Sequence, residues 1–292
     1  MPIKKFGADP EVFIGYPLGE KTCVLPPSFL RLMHNHEVIK NGRHPIFIKK
    51  EEYIVHEDGA ALEVGVIPSA NWEDLWERIN RSYEDISTNL LALYPNDCDG
   101  KVHILPTITY DVERWKGYSE EFHMSNIFGC DADIDAFDTE REAEVIDATL
   151  HDERYGGGHI HTSGSELASE DPISAIKFLA MTAGNAAIAY SDVPSLEKAR
   201  TYLYGKPGKF RVQKYSNGET GIEYRTPSNT WTKDKKIAER IFTWFKVGIE
   251  NLLEQGLGFE LIEELTQPTI DAIINADQSL ALQILTRIEE RI

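Results

Sequence analysis

The sequence predicts an α+β domain built on a mostly antiparallel sheet that helices cover on one face. Short strand-like segments are interrupted by a few long amphipathic helices, and no internal repeat or low-complexity linker separates them. The chain has 292 residues and 41% hydrophobic content, which is enough for a substantial core. Several strand-like segments carry ionisable residues at every second position, so we expect one face of the sheet to be polar.

Three segments have the apolar period of a helix, and each has a cap or a stop. They are 71–93, which starts at Asn71 and stops at Pro95; a helix that begins at Asp171 and Pro172; and 233–255, which stops at Gly256. The tail from Phe259 predicts two short amphipathic helices, split near Asp277, whose role is packing.

Six segments are predicted as strands because they combine alternating or apolar patterns with flanking turn residues. They are 10–16, 46–48, 60–67, 102–109, 158–163 and 221–226. Residues 111–152 are acidic and weakly periodic, so we predict a long loop or insertion beside the sheet.

The overall charge limits the classes of partner. Thirty Lys and Arg against 48 Asp and Glu give a formal charge of -18, which disfavours loose binding to nucleic acid or to an anionic membrane. We found no run of about eighteen apolar residues for a membrane span and no signal peptide at the start, so we expect a cytoplasmic protein with no membrane partner. Cys23, Cys98 and Cys130 are odd in number and far apart, and we expect ordinary thiols.

Four of the predicted strands carry ionisable residues that share one face. One charged residue on a strand is usually solvated, but several strands with acids, imidazoles and an arginine on a common side indicate a polar cleft. Buried charges of both signs need partners, and a metal with an anionic ligand would supply them. The residues that we expect to line the cleft are Asp9, Glu11, Glu63, His159, His161, Glu223 and Arg225.

The residue types indicate metal and phosphate chemistry. Clustered carboxylates repel each other unless a cation lies between them, and oxygen ligands favour Mg²⁺ or Mn²⁺, while imidazole adds tolerance for manganese or zinc. Arg200, Arg211 and Arg225 lie in or near glycine-containing segments, and a guanidinium matches phosphate or carboxylate oxygens. The glycines at 156–158 would let backbone N–H groups approach an anion, although no Walker loop or GxGxxG is present. These features favour a nucleotide site over a plain hydrolase.

Five ordered blocks of the sequence resemble the phage-associated amidoligases, which are carboxylate–amine ligases with a glutamine synthetase-like fold. The resemblance spans about residues 6–231. Its blocks are GADPEVF at 7–13, HEDGAALEVGVIPS at 56–69, GGGHIHTSG at 156–164, ARTYLYGKPGKFR at 199–211 and GIEYRTPSNTW at 221–231.

The resemblance implies a catalytic domain over 1–256, with a helical extension over 257–292 packed on it. It implies a curved sheet whose concave polar face binds ATP and Mg²⁺ or Mn²⁺. The family often has a Gly-Thr-Lys segment before the second strand. This chain has only Gly-Glu-Lys-Thr at 19–22. The resemblance therefore does not support a role for Lys21.

The resemblance also implies roles for individual residues. The implied metal ligands are Asp9, Glu11, Glu63, His159 and Glu223, with Asp58 alongside. The implied phosphate, nucleotide or substrate contacts are Arg200, Arg211, Arg225 and His161. Glu63, Arg211 and Arg225 are the residues that we expect to matter most for catalysis.

The expected reaction joins a carboxylate to an amine through an acyl phosphate made with ATP. A small molecule, a peptide, a cell-wall precursor or a modified DNA base could supply the carboxylate or the amine; nucleic acid is not expected otherwise. The sequence is compatible with a homo-oligomer, and with the host cytoplasm as location if the protein is encoded by a phage.

Two other functions fit parts of the pattern. A zinc-dependent metallohydrolase would use His159, His161, Asp9 and Glu63 around an open water site. An inactive binding protein of the same fold would keep the residues without the reaction. Single residues also have structural interpretations: Asp58 as cap of an Asp-Gly turn, His161 as a satisfied sheet histidine, and Arg200 as partner of Glu197 on a helix surface.

Overall fold

A computed structural model shows an α+β protein with one large antiparallel sheet, which confirms the predicted fold class. The structure describes residues 5–30, 39–41, 44–94, 100–116, 134–140, 147–215 and 218–292. The strands are β1 Lys5–Leu18, β2 Lys21–Val24, β3 Ile39–Asn41, β4 His44–Lys49, β5 Tyr53–Asp58, β6 Ala61–Val66, β7 Lys101–His103, β8 Thr107–Thr109, β9 Ile134–Asp135, β10 Glu153–Tyr155, β11 Gly158–Ser163, β12 Lys209–Lys214 and β13 Thr220–Tyr224.

The sheet is open, and its strand order is β3-β4-β5-β6-β1-β11-β13-β12-β9. The 14-residue strand β1 is central because it pairs with β11 through its first half, with β6 in its middle, and with β7 and β2 through its second half. Strand β8 pairs with β10 and, in parallel, with β2. Every other described pairing is antiparallel.

The helices lie between and after the strands. They are α1 Trp72–Asp85, α2 Val112–Lys116, α3 Glu166–Glu170, α4 Pro172–Leu179, α5 Asn185–Ala189, α6 Pro194–Leu203, α7 Lys235–Lys246, α8 Leu261–Asn275 and α9 Gln278–Glu289. Three of them run on without a break into π-helical turns, at Ile86–Leu90 after α1, Ala180–Gly184 between α4 and α5, and Val247–Glu254 after α7.

Two of the predicted helix starts are confirmed by their caps. Asn71 accepts a hydrogen bond from the N–H of Glu73 at 2.9 Å, and Asp171 caps α4 with Pro172 at its start. Helix α7 begins two residues later than predicted because Asp234 is its cap. Pro95, the predicted stop of the first helix, lies outside the described residues.

Helices α1 and α7 bury the apolar face of the sheet. Phe6 of β1 contacts the rings of Phe242 and Phe245 edge to face, with centroids 6.1 and 5.8 Å apart. Val12 and Ile14 of the same strand are also in the core, as the alternation of β1 predicts. Polar side chains on this strand are therefore directed to the other face.

One helical segment, Pro172–Ala189, is long and apolar enough to cross a membrane by length and composition. We expected no such run from the sequence, and that expectation was wrong for this segment. In the structure 72% of this segment is buried inside the protein, and core helices of soluble proteins pass the same test.

Some strands differ from the predicted ones. The predicted strand 102–109 is two strands, β7 and β8, separated at residues 104–106. Strands β2, β3, β5, β9, β10 and β12 and helix α3 were not predicted, and α6 was considered only as the helix surface on which Arg200 would pair with Glu197. The described part of region 111–152 holds α2, β9 and a 3₁₀ turn at Ala148–Leu150 rather than a plain loop. Cys23 is buried, whereas Cys98 and Cys130 lie outside the described residues.

The C-terminal helices α8 and α9 pack on the helical layer. Asp277 caps α9, which confirms the predicted split of the tail. The side-chain amide of Gln278 donates to the backbone carbonyls of Ile188, Ala189 and Ser191. These contacts join the tail to the rest of the chain, and the boundary at residue 256 stays a prediction.

Candidate active site

The strand register brings the predicted polar residues together in one row. In β1, Asp9 pairs with His159 of β11, and Glu11 pairs with Glu63 of β6. On the other side of β11, His161 pairs with Glu223 of β13, which in turn pairs with Arg211 of β12. Because paired residues project to the same face, five neighbouring strands present their ionisable side chains together.

The first of two candidate cation sites consists of Asp9, His161 and Glu223, called the mixed group below. One ligand atom from each lies within 4.8 Å of the others, and His161 Nε2 is 3.0 Å from Asp9 Oδ2. Burial acts to raise the pKa of Asp9, but His161 and His159 outweigh it and hold that pKa well below its usual range. Burial likewise acts to lower the pKa of His161, but Asp9 raises it overall.

The second candidate site consists of Glu11, Asp58 and Glu63, called the acidic group below. Their ligand oxygens also lie within 4.8 Å of one another. Burial and the nearby Asp58 raise the pKa of Glu11 to about 8. Burial, followed by Asp9, Asp58 and Glu11, raises the pKa of Glu63 well above its usual range. The acidic group is therefore a concentration of like charge that a cation would relieve.

His56 lies beside the acidic group, although the sequence analysis did not select it. Its Nε2 is 3.7 Å from Glu63 Oε1, and it stands opposite Glu63 in the pairing of β5 with β6. Its Nδ1 lies 3.3 Å from the carbonyl of Glu57. Strand β5 also carries Asp58, so this unpredicted strand supplies two of the side chains around the site.

Both groups fit divalent cations by their donor chemistry. The mixed group offers two carboxylates and an imidazole nitrogen, a set that Mn²⁺ and Mg²⁺ accept. The acidic group offers carboxylate oxygens only, which favours Mg²⁺. Asp9 Oδ1 and His161 Nε2 are buried atoms that lie at ion-pair distance from charged neighbours without making a hydrogen bond of good geometry. Such atoms are available to a metal ion.

Arg225 is held at the edge of the mixed group. It is 3% exposed, and it donates to Glu223 and, at 3.1 Å, to the hydroxyl of Tyr204. Gln213 donates to the other oxygen of Glu223. Burial and Asp9 act to raise the pKa of Glu223, but Arg225 and the two histidines lower it overall.

The structure places His159 next to the mixed group. His159 is 3% exposed; its Nδ1 lies 3.3 Å from Asp9 Oδ1 and 3.4 Å from Glu223 Oε1. Its Nε2 lies 3.2 Å from the hydroxyl of Tyr204. Burial and Arg225 lower the pKa of His159. Both ring nitrogens thus have close protein neighbours, while His161 contributes the imidazole of the mixed group.

Arg200 and Arg211 lie in different environments. Arg200 is 1% exposed and donates to the carbonyls of Thr226 at 2.6 Å and Pro227 at 3.3 Å. Glu197 is also buried, so the two residues do not form the surface pair that the sequence allowed. Arg211 is half-buried on β12, opposite Glu223. Phosphate contact by either arginine stays a prediction.

The N–H groups of the three glycines before His159 are all bonded within the protein, so the expectation that they approach an anionic ligand was wrong. Gly156 donates to the carbonyl of Pro106 at 2.9 Å, Gly157 to Glu11 Oε2 at 2.7 Å, and Gly158 to the carbonyl of Pro227 at 3.0 Å. A side chain at these positions would collide with Asn229, His159 and Ser228 respectively. The glycines are required by close packing, and one of them orients a carboxylate of the acidic group.

A buried loop, residues 226–230, supports this part of the site. Its Asn229 donates to the backbone carbonyl of Glu11 at 2.6 Å, and the following Trp231 donates to the carbonyl of Gly158 at 2.8 Å. One oxygen of Glu197 in α6 accepts hydrogen bonds from three hydroxyls, at 3.1, 2.6 and 2.8 Å. The donors are Ser191, Ser228 and Thr230.

Sequence reasoning missed several residues that shape the site: His56, Glu197, Tyr204, Gln213 and Asn229. His56, Tyr204 and Asn229 stand inside blocks already noted for their resemblance to the amidoligases, and that position was the sign that could have drawn attention to them. Glu197 and Gln213 lie outside those blocks.

The fold and the site define this chain as an α+β protein with two neighbouring candidate cation sites on the polar face of its sheet. The sequence matches no family model and no curated protein. The structure is similar to a chain in the crystal structure of the complex between prokaryotic ubiquitin-like protein Pup and its ligase PafA, with a TM-score of 0.44 and 9% identity. The alignment covers 99% of this chain and 63% of that chain.

Proposed function

We propose that this protein is an ATP-dependent carboxylate–amine ligase that forms an amide bond through an acyl phosphate. The observation that carries the proposal is the pair of candidate cation sites on the polar face of the sheet. The mixed group joins β1 to β11 and β13, the acidic group joins β1 to β5 and β6, and the buried Arg225 lies beside the mixed group. Phosphoryl transfer depends on positioning and on neutralising the charge of phosphate oxygens. Two cations and an arginine are suited to that task. The ordered sequence blocks that resemble amidoligases support the same reaction.

The reaction needs ATP because a carboxylate is a poor acyl donor. An oxygen of the acid attacks the terminal phosphorus of ATP, and ADP leaves. The nitrogen of the amine then attacks the carbonyl carbon of the acyl phosphate, inorganic phosphate leaves, and the amine gives up a proton. Each bond formed is matched by one broken, so the products are an amide, ADP and phosphate.

In this proposal the mixed group would hold one divalent cation and the acidic group the other. Bound Mg²⁺ or Mn²⁺ would supply charge neutralisation for the phosphate oxygens. Arg225, joined by Arg211, would bind phosphate or carboxylate oxygens. Gly157 and Asn229 would keep Glu11 in place through its side chain and its backbone.

For the imidazole ligand, the arrangement favours His161 over the predicted His159. His161 Nε2 belongs to the set of ligand atoms that lie within 4.8 Å of one another. His159 Nδ1 is close to both carboxylates of the mixed group, and its Nε2 is close to Tyr204. His159 therefore fits a supporting role in that group. For Arg200, its bonds to two backbone carbonyls support a role in holding the 226–230 loop.

The test is a screen for ADP release over pairs of acids and amines, including peptides with a free carboxylate, with Mg²⁺ or Mn²⁺. We expect ADP and phosphate to appear only when the cation, the acid and the amine are all present. Glu63→Ala and Arg225→Ala should each lower the rate by about 10³-fold. Glu263→Ala, a change at an exposed acid of α8, is the matched control and should keep the rate. Full activity of both site variants with a genuine substrate pair would refute the proposal.

The zinc metallohydrolase is less well supported by the geometry. Its four required ligands are divided: Asp9 and His161 belong to the mixed group, Glu63 belongs to the acidic group, and His159 belongs to neither of these groups found among the described residues. Tight binding of zinc without affinity for ATP would favour the hydrolase. Absence of both ATP binding and cation binding in calorimetry would favour the inactive binding protein.

A further inference from the structure

Tyr204 lies between two residues of the candidate site that do not share a strand. It follows the last residue of α6, and Gly205 after it has a positive φ of 66° that turns the chain. Its hydroxyl oxygen is 3.1 Å from Nη2 of Arg225 and 3.2 Å from Nε2 of His159. The hydroxyl therefore bridges the arginine and the buried histidine.

The ring of Tyr204 is fixed in place by two neighbours. The ring of Tyr155 stacks on it at 6.2 Å with an interplanar angle of 10°. The guanidinium carbon of Arg200 lies 5.0 Å from its centroid. Because Arg200 is itself bonded to the 226–230 loop, the position of the hydroxyl is set before any ligand binds.

The hydrogen-bonding capacity of the groups decides the direction of one of these two bonds. A guanidinium can only donate, so the Tyr204 oxygen accepts from Arg225. Toward Nε2 of His159 the hydroxyl can donate or accept, and the tautomer of the ring decides which. A neutral imidazole carries one hydrogen, so with that hydrogen on Nδ1 the hydroxyl donates to Nε2.

The surroundings of Nδ1 assign the hydrogen to that nitrogen. It lies 3.3 Å from Asp9 Oδ1 and 3.4 Å from Glu223 Oε1, and carboxylates accept hydrogen bonds. A lone pair on Nδ1 would instead face two negative oxygens. Nη1 of Arg225 is also 3.5 Å from Nδ1, but this nitrogen is much closer to Glu223, to which it donates.

We propose that Tyr204 is a positioning residue of the site: its hydroxyl keeps the hydrogen of His159 on Nδ1, where it orients Asp9 and Glu223 toward a cation. This inference rests on the proposed function in that the mixed group is taken to bind a divalent cation. Tyr204 acts through His159 and touches no reacting atom. Partners that fix the orientation of metal ligands in this way contribute about 10–100-fold to metal affinity.

The test compares Tyr204→Phe with Tyr155→Phe in the full-length protein. Each change removes one hydroxyl from the same stacked pair and keeps both rings. The hydroxyl of Tyr155 donates to Glu153 at 3.5 Å and lies outside the bridge between His159 and Arg225. The protein is labelled with ¹⁵N-histidine and studied without metal, and the His159 resonances are assigned by their loss in His159→Asn. We expect His159 to carry its hydrogen on Nδ1 in the wild type and in Tyr155→Phe, and to become a mixture of tautomers in Tyr204→Phe.

A second measurement is Mn²⁺ affinity by titration calorimetry. Tyr204→Phe should weaken one Mn²⁺ site by about tenfold, and Tyr155→Phe should leave both sites within about twofold of the wild type. The inference is overturned if the wild type carries the hydrogen on Nε2, or if Tyr204→Phe leaves tautomer and affinity unchanged. Because neither readout involves ATP, a wild type with the expected tautomer and Mn²⁺ site but no ligation would contradict the proposed function alone.

Discussion

Two buried groups of charge in this protein are built in opposite ways. Around Glu197, a single carboxylate is surrounded by three hydroxyl donors, with Arg200 close by on the same helix. In the acidic group, three carboxylates lie together, and burial and neighbouring acids raise the pKa of two of them. The first arrangement satisfies a charge within the protein. The second gathers like charges that a bound cation would compensate.

The difference shows that burial of a charge does not by itself mark a functional site. Burial raises the pKa of Glu197 as it does that of Glu11, although hydroxyl donors and Arg200 oppose the shift at Glu197. A buried charge with enough hydrogen-bond donors contributes to the fold, whereas clustered like charges cost stability and persist where a ligand compensates them. The partners of a charge therefore decide between the two interpretations.

The two groups are also connected. Glu197 binds the hydroxyls of Ser228 and Thr230, and between them Asn229 donates to the backbone of Glu11. The group around Glu197 thus holds the loop that positions a member of the acidic group. We infer that Glu197 stabilises the fold and the acidic group binds a ligand, although the two belong to one network of contacts.

The largest expected loss of stability, and the sharpest test of the difference between the two groups, comes from Glu197→Ala. It leaves three hydroxyl donors without their acceptor and Arg200 without its nearby negative charge, and we expect a loss of about 3 kcal/mol of unfolding free energy. Glu63→Gln, which removes one of three clustered charges, should not lower stability when divalent cations are removed. Urea denaturation with a chelator measures both. Equal losses in the two variants would show that the groups do not differ in the way the structure indicates.

Sequence alternation was sufficient to predict which face of the sheet is polar. In β1 and β11 the side chains two residues apart do share a face, since Asp9 contacts both His159 and His161. This rule is local, because the direction of a side chain in a strand depends only on its position along that strand. The α+β class and the long helices were predictable for the same reason.

Interactions that depend on distant segments were not predictable. Arg200 looks like a surface residue of a helix, yet its guanidinium meets carbonyls 26 and 27 residues further along the chain. In the sequence, the glycines before His159 resemble an anion-binding loop. In the structure they are glycines because Asn229 and Ser228 lie too close for a side chain to fit. No local pattern contains these neighbours, which are set by tertiary packing.

The second prediction concerns pH and follows from the acidic group. The pKa of Glu11 is about 8 in the folded protein and about 4.5 when unfolded, so between these values the folded state binds more protons. Metal-free stability should therefore be highest near the lower value and fall as the pH rises toward 8, by at most about 1.4 kcal/mol per pH unit. Glu11→Gln should flatten this dependence. Thermal unfolding in chelator across this range is the measurement.

Saturating Mg²⁺ or Mn²⁺ supplies the matching control for the pH prediction. A cation binds the ionised carboxylates, so binding should release protons and remove most of the loss of stability toward pH 8. Glu263→Gln, a change at an exposed acid of α8, should keep the pH dependence of the wild type. A metal-free protein whose stability rises from pH 5 to 8 would contradict the stated protonation of the acidic group.

The smallest expected effect separates two roles of Asp58. Asp58 begins the turn between β5 and β6, where Gly59 has a positive φ of 56°, and it also belongs to the acidic group. In Asp58→Asn the amide oxygen can still accept hydrogen bonds from the turn, but the charge is lost. If Asp58 is only a turn residue, the affinity of the variant for Mg²⁺ should be unchanged. If Asp58 is a metal ligand, the affinity for Mg²⁺ should be weaker by about tenfold, and the thermal stability should be nearly unchanged because the turn is kept. We expect the second result, since Asp58 is buried against two other carboxylates whose pKa values it raises. Calorimetric titration of Mg²⁺ into the variant and the wild type decides between the two.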